Sequence, residues 1–399
     1  MQLEELYEFS DVRISRAPEK LVRYLFEEVN WESPLIGIKG ARGTGKTTLL
    51  LQYLSKSGLT APQAVYLSLD DLYFSTHTVL ETVNRIYREG GKIIVLDEVH
   101  KYPGWAREVK NLHDRYPELQ IIFTGSSVID IAREEGDLSR RAVLYELHGL
   151  SYREFLFLEH DLDLASLSLT DLAEKQSDIR RLFPDQFRPL QYFKEYLKHG
   201  YYPFFKPDPS TYSRRLQQVI RTTIEYDMAE LKGFDIRNAK KIIQLLGVIA
   251  QSVPFKPNIS KLAKKSGIHR NSLVNYLHYL EQARLVHLLY PSGSSTSTLQ
   301  KPEKLYLNNP NLAWILSGSD PDTGNMRETF VLSQLQVRHR VHWPKQGDFS
   351  VDDTWLFEIG GKNKSKKQIA GIKNARLITD DLEYPTAGRI PLWLFGFLY

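Results

Sequence analysis

Pro34-Leu-Ile-Gly-Ile-Lys-Gly-Ala-Arg-Gly-Thr-Gly-Lys-Thr-Thr-Leu-Leu-Leu51 joins a short apolar run to a glycine-rich turn and then to a second apolar run. Leu35 to Ile38 reads as a buried strand, and Thr48 to Leu54 reads as a helix. Between them Gly40, Ala41, Arg42, Gly43, Thr44, Gly45, Lys46 and Thr47 fit G-x-x-x-x-G-K-[ST] at every fixed position. Strand, loop and helix in that order are the context a phosphate-binding loop requires. Its glycines let backbone N–H groups close around an anion, with a helix N-terminus behind them. Lys46 would set a point charge on the β- and γ-phosphates of ATP, and the Thr47 hydroxyl suits Mg²⁺. Residues 40 to 48, Thr48 included, are the expected nucleotide-binding set.

The whole chain sets looser bounds. At 399 residues it is long enough for two or three domains, because single cores rarely grow past roughly 250–300 residues. It has no Cys, which excludes disulfides and Cys-based zinc sites. The start, Met1-Gln-Leu-Glu-Glu-Leu-Tyr-Glu, is acidic and lacks the basic-then-apolar order of a signal peptide. No run approaches the roughly 18 apolar residues of a membrane span. A cytoplasmic protein without a membrane partner is the expectation. A net charge of +4 is slight, so its distribution matters more than its sum.

Outward from the loop, residues 17–30 carry Leu21, Leu25 and Val29 at spacing four, which predicts one helix with a buried face. Downstream, strands are predicted at Ala64–Leu69, Lys92–Glu98, Gln120–Ser126 and Ala142–Leu147. Helices are predicted over 77–88 and from about Gly104 to Tyr116. Apolar strands alternating with helices indicate a parallel sheet covered on both faces. A whole strand–helix unit separates the phosphate loop from the acidic strand, as in P-loop ATPases with an inserted central strand.

Ile93 to Leu96 end in Asp97-Glu98, at the strand edge where ligands bind in open α/β sheets. Asp97 is assigned to Mg²⁺, directly or through water, and Glu98 to orienting or deprotonating the attacking water. His100 and Lys101 follow, as phosphate sensors or as plain surface residues. The fourth strand ends in Thr124-Gly-Ser-Ser127, where either Thr124 or Ser126 could sit beside the γ-phosphate. An ordinary strand-ending turn reads the same way.

Together Gly40–Thr47, Leu96-Asp-Glu-Val-His-Lys101, Thr124-Gly-Ser-Ser127 and the run Arg141 to Leu156 resemble a widespread family. These are the AAA-type ATPases of bacteria and archaea that carry a winged-helix and nuclease-like C-terminal region. The resemblance covers nearly the whole chain. It implies a P-loop AAA-type α/β core over 1–150, a helical lid and linker over 151–254, a winged helix over 255–310 and a PD-(D/E)XK nuclease-like domain over 311–399. Arg141, preceded by Arg140, matches the family's Arg before the fifth strand and is a candidate trans-acting finger or sensor in a homo-oligomer. An exposed Arg pair is equally consistent with solvation.

Residues 151–254 read as helical, with breaks at Phe183-Pro-Asp and Phe204 to Ser210. From Asn258 to Ala283, apolar Ile259, Leu262, Leu273, Leu277 and Leu280 bury two helices around a turn at Gly267. That is a helix-turn-helix, with Leu285–Tyr290 and Lys304–Leu307 as a wing. The second helix leaves His269, Arg270, Asn271, Asn275 and His278 free as groove-compatible donors, and Lys261, Lys264 and Lys265 join Arg270, Asn271 and Asn275 in the expected DNA-binding set. Residues 256 to 304 hold eight Lys/Arg against two Glu, a net +6. Phosphate contacts would use that charge, although winged helices also bind proteins.

From Met326 the predicted order is helix, strands, helix, strand. Glu328, Asp348 and Glu358 match the carboxylates of the nuclease core, which hold Mg²⁺. The pattern wants Lys at Gly360; only a bulge at Gly360-Gly361 would bring Lys362 into place. The expected function is a Mg-dependent ATPase that binds DNA through its C-terminal half and remodels or moves along it. A nucleotide-gated regulatory switch and an ATP-controlled endonuclease are the alternatives.

Overall fold

Leu35, Ile36 and Ile38 have no solvent exposure, as a strand covered on both faces demands. They form β1 (Leu35–Gly40), followed by β2 (Ala64–Ser68), β3 (Ile93–Asp97), β4 (Gln120–Ser126) and β5 (Val143–Glu146). All pair in parallel, in the order β2-β3-β4-β1-β5. Spatially, β4 is thus inserted between the phosphate-loop strand and the acidic strand. These strands belong to the first of two units, Met1–Gly149 and Leu150–Tyr399. The computed structural model describes residues 2–126, 138, 140–174, 179–206, 208–231, 234–251, 257–292, 302–318, 321–386 and 388–399, except the side chains of Ser126 and Glu230. Ser127, Lys256 and Lys301 lie outside the described residues, as does the side chain of Ser126.

The helices of the first unit are α1 (Leu3–Ser15), α2 (Leu25–Glu28), α3 (Lys46–Ser57), α4 (Val79–Arg88) and α5 (Trp105–Arg115). One face of the sheet packs Leu67, Leu96 and Phe123 against Val83, Trp105 and Val109 from α4 and α5. Each such side chain contributes roughly 1.5–3 kcal/mol by leaving water.

The single helix predicted over 17–30 does not form. Leu25 and Val29 are buried as expected, but only Leu25–Glu28 is helical. The Gln52 amide on α3 takes the carbonyls of Pro18 and Leu21 at 2.5 and 2.8 Å, acceptors that a helix would use for its own ladder. The segment is held in irregular structure against α3. The N-terminal helix is instead α1, whose Leu3, Leu6 and Ile14 are buried.

In the second unit the main helices are α6 (Tyr152–His160), α7 (Leu169–Glu174), α8 (Pro189–Glu195), α9 (Tyr212–Thr222), α10 (Ala239–Ala250), α11 (Ile259–Ser266) and α12 (Arg270–Gln282). Gly267 turns between α11 and α12 at φ 66°, where a side chain is disfavoured. Strands β6 (Val286–Leu289) and β7 (Lys304–Leu307) then pair antiparallel. After α13 (Pro310–Leu316) and α14 (Thr323–Leu335) comes a mixed sheet of β8 (Val341–His342), β9 (Phe349–Val351), β10 (Trp355–Gly360), β11 (Ala375–Thr379) and β12 (Arg389–Pro391). The helix expected between the last strands is only a 3₁₀ turn at Lys366–Ile369, stopped before Gly371. β10 keeps its register with β11 through Gly360, so the strand has no bulge there.

Candidate nucleotide site

The loop after β1 has the backbone an anion cradle needs. Gly43 and Gly45 sit at φ 84° and 98°, and a Cβ on Gly40 would run into the Leu147 carbonyl. Thr44 is buried, its hydroxyl donating to Ala41 O at 2.9 Å. Lys46 is 6 % exposed, and its ammonium donates to Gly40 O at 2.9 Å and Ala41 O at 3.1 Å. The charge is thereby kept within the loop. Ala41, Arg42 and Thr48 are partly exposed around it.

Parallel pairing brings the ends of β3 and β4 beside this loop. Asp97, 2 % exposed, accepts from the Thr47 hydroxyl at 2.6 Å and the Tyr66 hydroxyl at 2.8 Å on Oδ2, and from the Thr124 hydroxyl on Oδ1. Burial, then the Asp97 charge, pushes the Tyr66 phenol well up, so it stays a donor. Thr47 and Asp97 offer hard oxygen ligands of the kind Mg²⁺ takes. Glu98 has φ 55° and ψ 43°, and its N–H reaches Asp97 Oδ1 and Thr124 Oγ1, both at 3.2 Å. This left-handed turn, sparsely used by residues with a side chain, swings Glu98 away from the strand direction.

At the end of β4, Thr124 is tied to Asp97 and Glu98; the other polar candidate, Ser126, has its side chain outside the described residues. Arg141 forks onto Asp114 of α5 at 2.8 and 3.2 Å, so within its own domain it is an ion-pair partner. Two contributors escape sequence reasoning. Tyr66 reads as one more apolar strand residue. Arg23 is 4 % exposed and donates to Thr44 O at 2.6 Å, His148 O at 2.8 Å and Gly149 O at 2.9 Å. It struts the phosphate loop against the chain after β5, and no motif announces it.

The second unit holds the remaining candidates. Lys261, Lys264, Lys265, Arg270, Asn271 and Asn275 are all exposed on α11 and α12. Asn258 caps α11 and His269 caps α12. Lys304, counted by sequence with the basic face, instead points inward. Its ammonium lies 3.0 Å from Glu328 Oε2 and 3.2 Å from Asp348 Oδ1. Tyr306 donates to the same Glu328 oxygen at 2.6 Å, and Ile359 N–H to Asp348 Oδ2 at 2.8 Å. Glu358 pairs with Lys364 at 2.6 Å. Lys362 does not take that position: it is exposed, and its carbonyl accepts from Arg389. With β10 regular through Gly360, the lysine that returns to Glu358 is Lys364, six residues on, instead of Lys362. Among the described residues, no group of three or more His, Asp or Glu is arranged to hold a metal ion.

The first unit is thus defined by fold and site as a P-loop nucleotide-binding domain of the inserted-strand type. Residues 32–156 match the AAA domain family profile (AAA_14), and the unit is an AAA-type P-loop ATPase domain. Residues 190–323 match a domain of unknown function, DUF8612. The uncharacterized protein MJ1637 of Methanocaldococcus jannaschii is 27 % identical over 383 residues, covering 88 % of this chain and 80 % of its own. Among solved structures, the Walker-type ATPase paby2304 of Pyrococcus abyssi aligns at 16 % identity and TM-score 0.43, over 73 % of this chain and 93 % of that one. AMPPCP-bound DnaA from Aquifex aeolicus aligns at 16 % identity and TM-score 0.26, over 65 % and 84 %. No helix among the described residues is long and apolar enough to cross a membrane.

Proposed function

We propose that the protein is a Mg-dependent ATPase that binds DNA through its Leu150–Tyr399 unit and couples hydrolysis to remodelling or moving along that DNA. The observation that carries the ATPase reading is the meeting of Lys46, Thr47, Asp97, Glu98 and Thr124 at one sheet edge. Lys46 binds phosphate oxygens, Thr47 and Asp97 would hold Mg²⁺, and Glu98 accepts the proton of the attacking water. When bound, the metal would neutralise phosphate charge.

For DNA, support comes from four cations and two amides exposed on one helix-turn-helix. Such a face gives sequence-independent affinity through phosphates. The nuclease-like carboxylates are read as structural, since Lys304 and Lys364 already pair with them. ATPase rates with and without single-stranded, duplex and branched DNA test the coupling. Replacing Lys261, Lys264, Lys265 and Arg270 with Ala should weaken binding and reduce the slope of log K against log salt by about 0.9 per lost phosphate contact. An unchanged slope would transfer the helix-turn-helix to protein recognition, and plasmid cleavage in the same incubations would favour the endonuclease.

Assembly is tested separately. A trans role for Arg141 requires its fork on Asp114 to open between subunits. Turnover per subunit should then rise with protein concentration, and Arg141→Ala subunits should poison mixed assemblies. Concentration-independent turnover by a sedimenting monomer would remove the finger.

A further inference from the structure

The side chain of His100 is 2 % exposed, unusual for a histidine in a short surface turn. It follows Glu98 by two residues in the 3₁₀ turn Val99–Lys101, whose Val99 is fully buried and anchors the turn. Its Nε2 lies 3.2 Å from Glu98 Oε2, at ion-pair distance but off the line of an aligned hydrogen bond. The Glu98 backbone is meanwhile fixed from the other side, its N–H held by Asp97 and Thr124. The two groups are within hydrogen-bond reach and lack only the alignment. Catalytic contacts commonly tighten in this way only when substrate is bound.

We infer that His100 is a positioning residue for Glu98, its Nε2–H orienting the carboxylate that receives the proton from water. The inference rests on the ATPase reading above. Both the Nε2–H tautomer and the imidazolium can donate to Oε2. One carboxylate oxygen is then held and the other is left to the water. Burial gives the ring few rotamers, so the carboxylate it holds is confined as well. Neither the phosphate loop nor Thr47 takes part in this contact, so nucleotide affinity is separable from it.

The test compares His100→Leu, which keeps bulk and loses the donor, with His100→Gln, whose amide nitrogen can stand near Nε2. Steady-state ATP hydrolysis is read as kcat and KM, alongside binding of a non-hydrolysable ATP analogue. Misplacing a base by about 1 Å costs up to about 10²-fold. His100→Leu should lose up to that in kcat with KM and analogue binding unchanged, and His100→Gln should recover most of it. Combined with Glu98→Gln, His100→Leu should cost little more, since both act through one carboxylate. Equal loss in the Leu and Gln variants, full additivity with Glu98→Gln, or unchanged kcat in a Leu variant that binds the analogue would each overturn the positioning role alone. Absence of turnover in the wild type would overturn the ATPase reading, and this inference with it.

Discussion

Glu98→Gln should bind ATP with near wild-type affinity and turn it over about 10²–10⁴-fold more slowly, the loss expected when a general base is removed. The amide keeps the shape of the carboxylate, and the Glu98 N–H bonds to Asp97 and Thr124 belong to the backbone. The turn therefore stays where it is. Lys46, Thr47 and Asp97 are untouched, so the phosphate cradle persists. Lys46→Ala makes the complementary change. It removes the buried ammonium held at Gly40 O and Ala41 O, and binding itself should fail. A fluorescent ATP analogue measures the first property and phosphate release the second. A Glu98→Gln protein with wild-type turnover would take the proton-accepting role away from Glu98.

These expectations were largely legible in the chain because phosphate chemistry restricts residue choice at fixed spacing. Gly40 and Gly45 are forced by backbone approach and positive φ, and Asp97 by the end of a buried strand. The β-strands were equally readable, since a parallel sheet covered on both faces needs unbroken apolar runs. What was not legible depends on long-range hydrogen bonds. Residues 17–24 have helical apolar spacing, yet the Gln52 amide takes two of their carbonyls. Arg23 and Tyr66 acquire their roles only from residues far along the chain. Lys304 is the sharpest case: its neighbours in sequence suggest a solvated basic face, whereas strand pairing turns it onto Glu328 and Asp348.

Removing Lys304 should therefore cost stability rather than DNA affinity. Lys304, Glu328 and Asp348 have side chains only 16–17 % exposed. With Glu358 and Lys364, three carboxylates face two ammonium groups, leaving one excess negative charge. Burial, then the neighbouring Asp348 carboxylate, already raises the Glu328 pKa from its ordinary value. Burial alone would lower the Lys304 pKa, but Glu328 and Asp348 outweigh it and raise it. Lys304→Met doubles the excess negative charge inside the cluster. Breaking a buried pair by removing one partner costs about 3–5 kcal/mol, and partial exposure favours the lower end. For a unit of this size that lowers Tm by about 6–20 °C. Adding Glu328→Gln restores the excess to one negative charge, and the amide oxygen can still accept from Tyr306, so the double variant should regain most of the loss. The pH dependence has a fixed sign. In Lys304→Met the folded-state pKa of Glu328 rises further above its unfolded value, so the folded protein binds more protons than the unfolded chain. Its stability then falls as pH rises through that window, and the gap from wild type should be wider at pH 8 than at pH 5. Urea or thermal unfolding at both pH values measures it. A gap independent of pH, or a Lys304→Met protein as stable as wild type, would mean that these charges do not compensate one another.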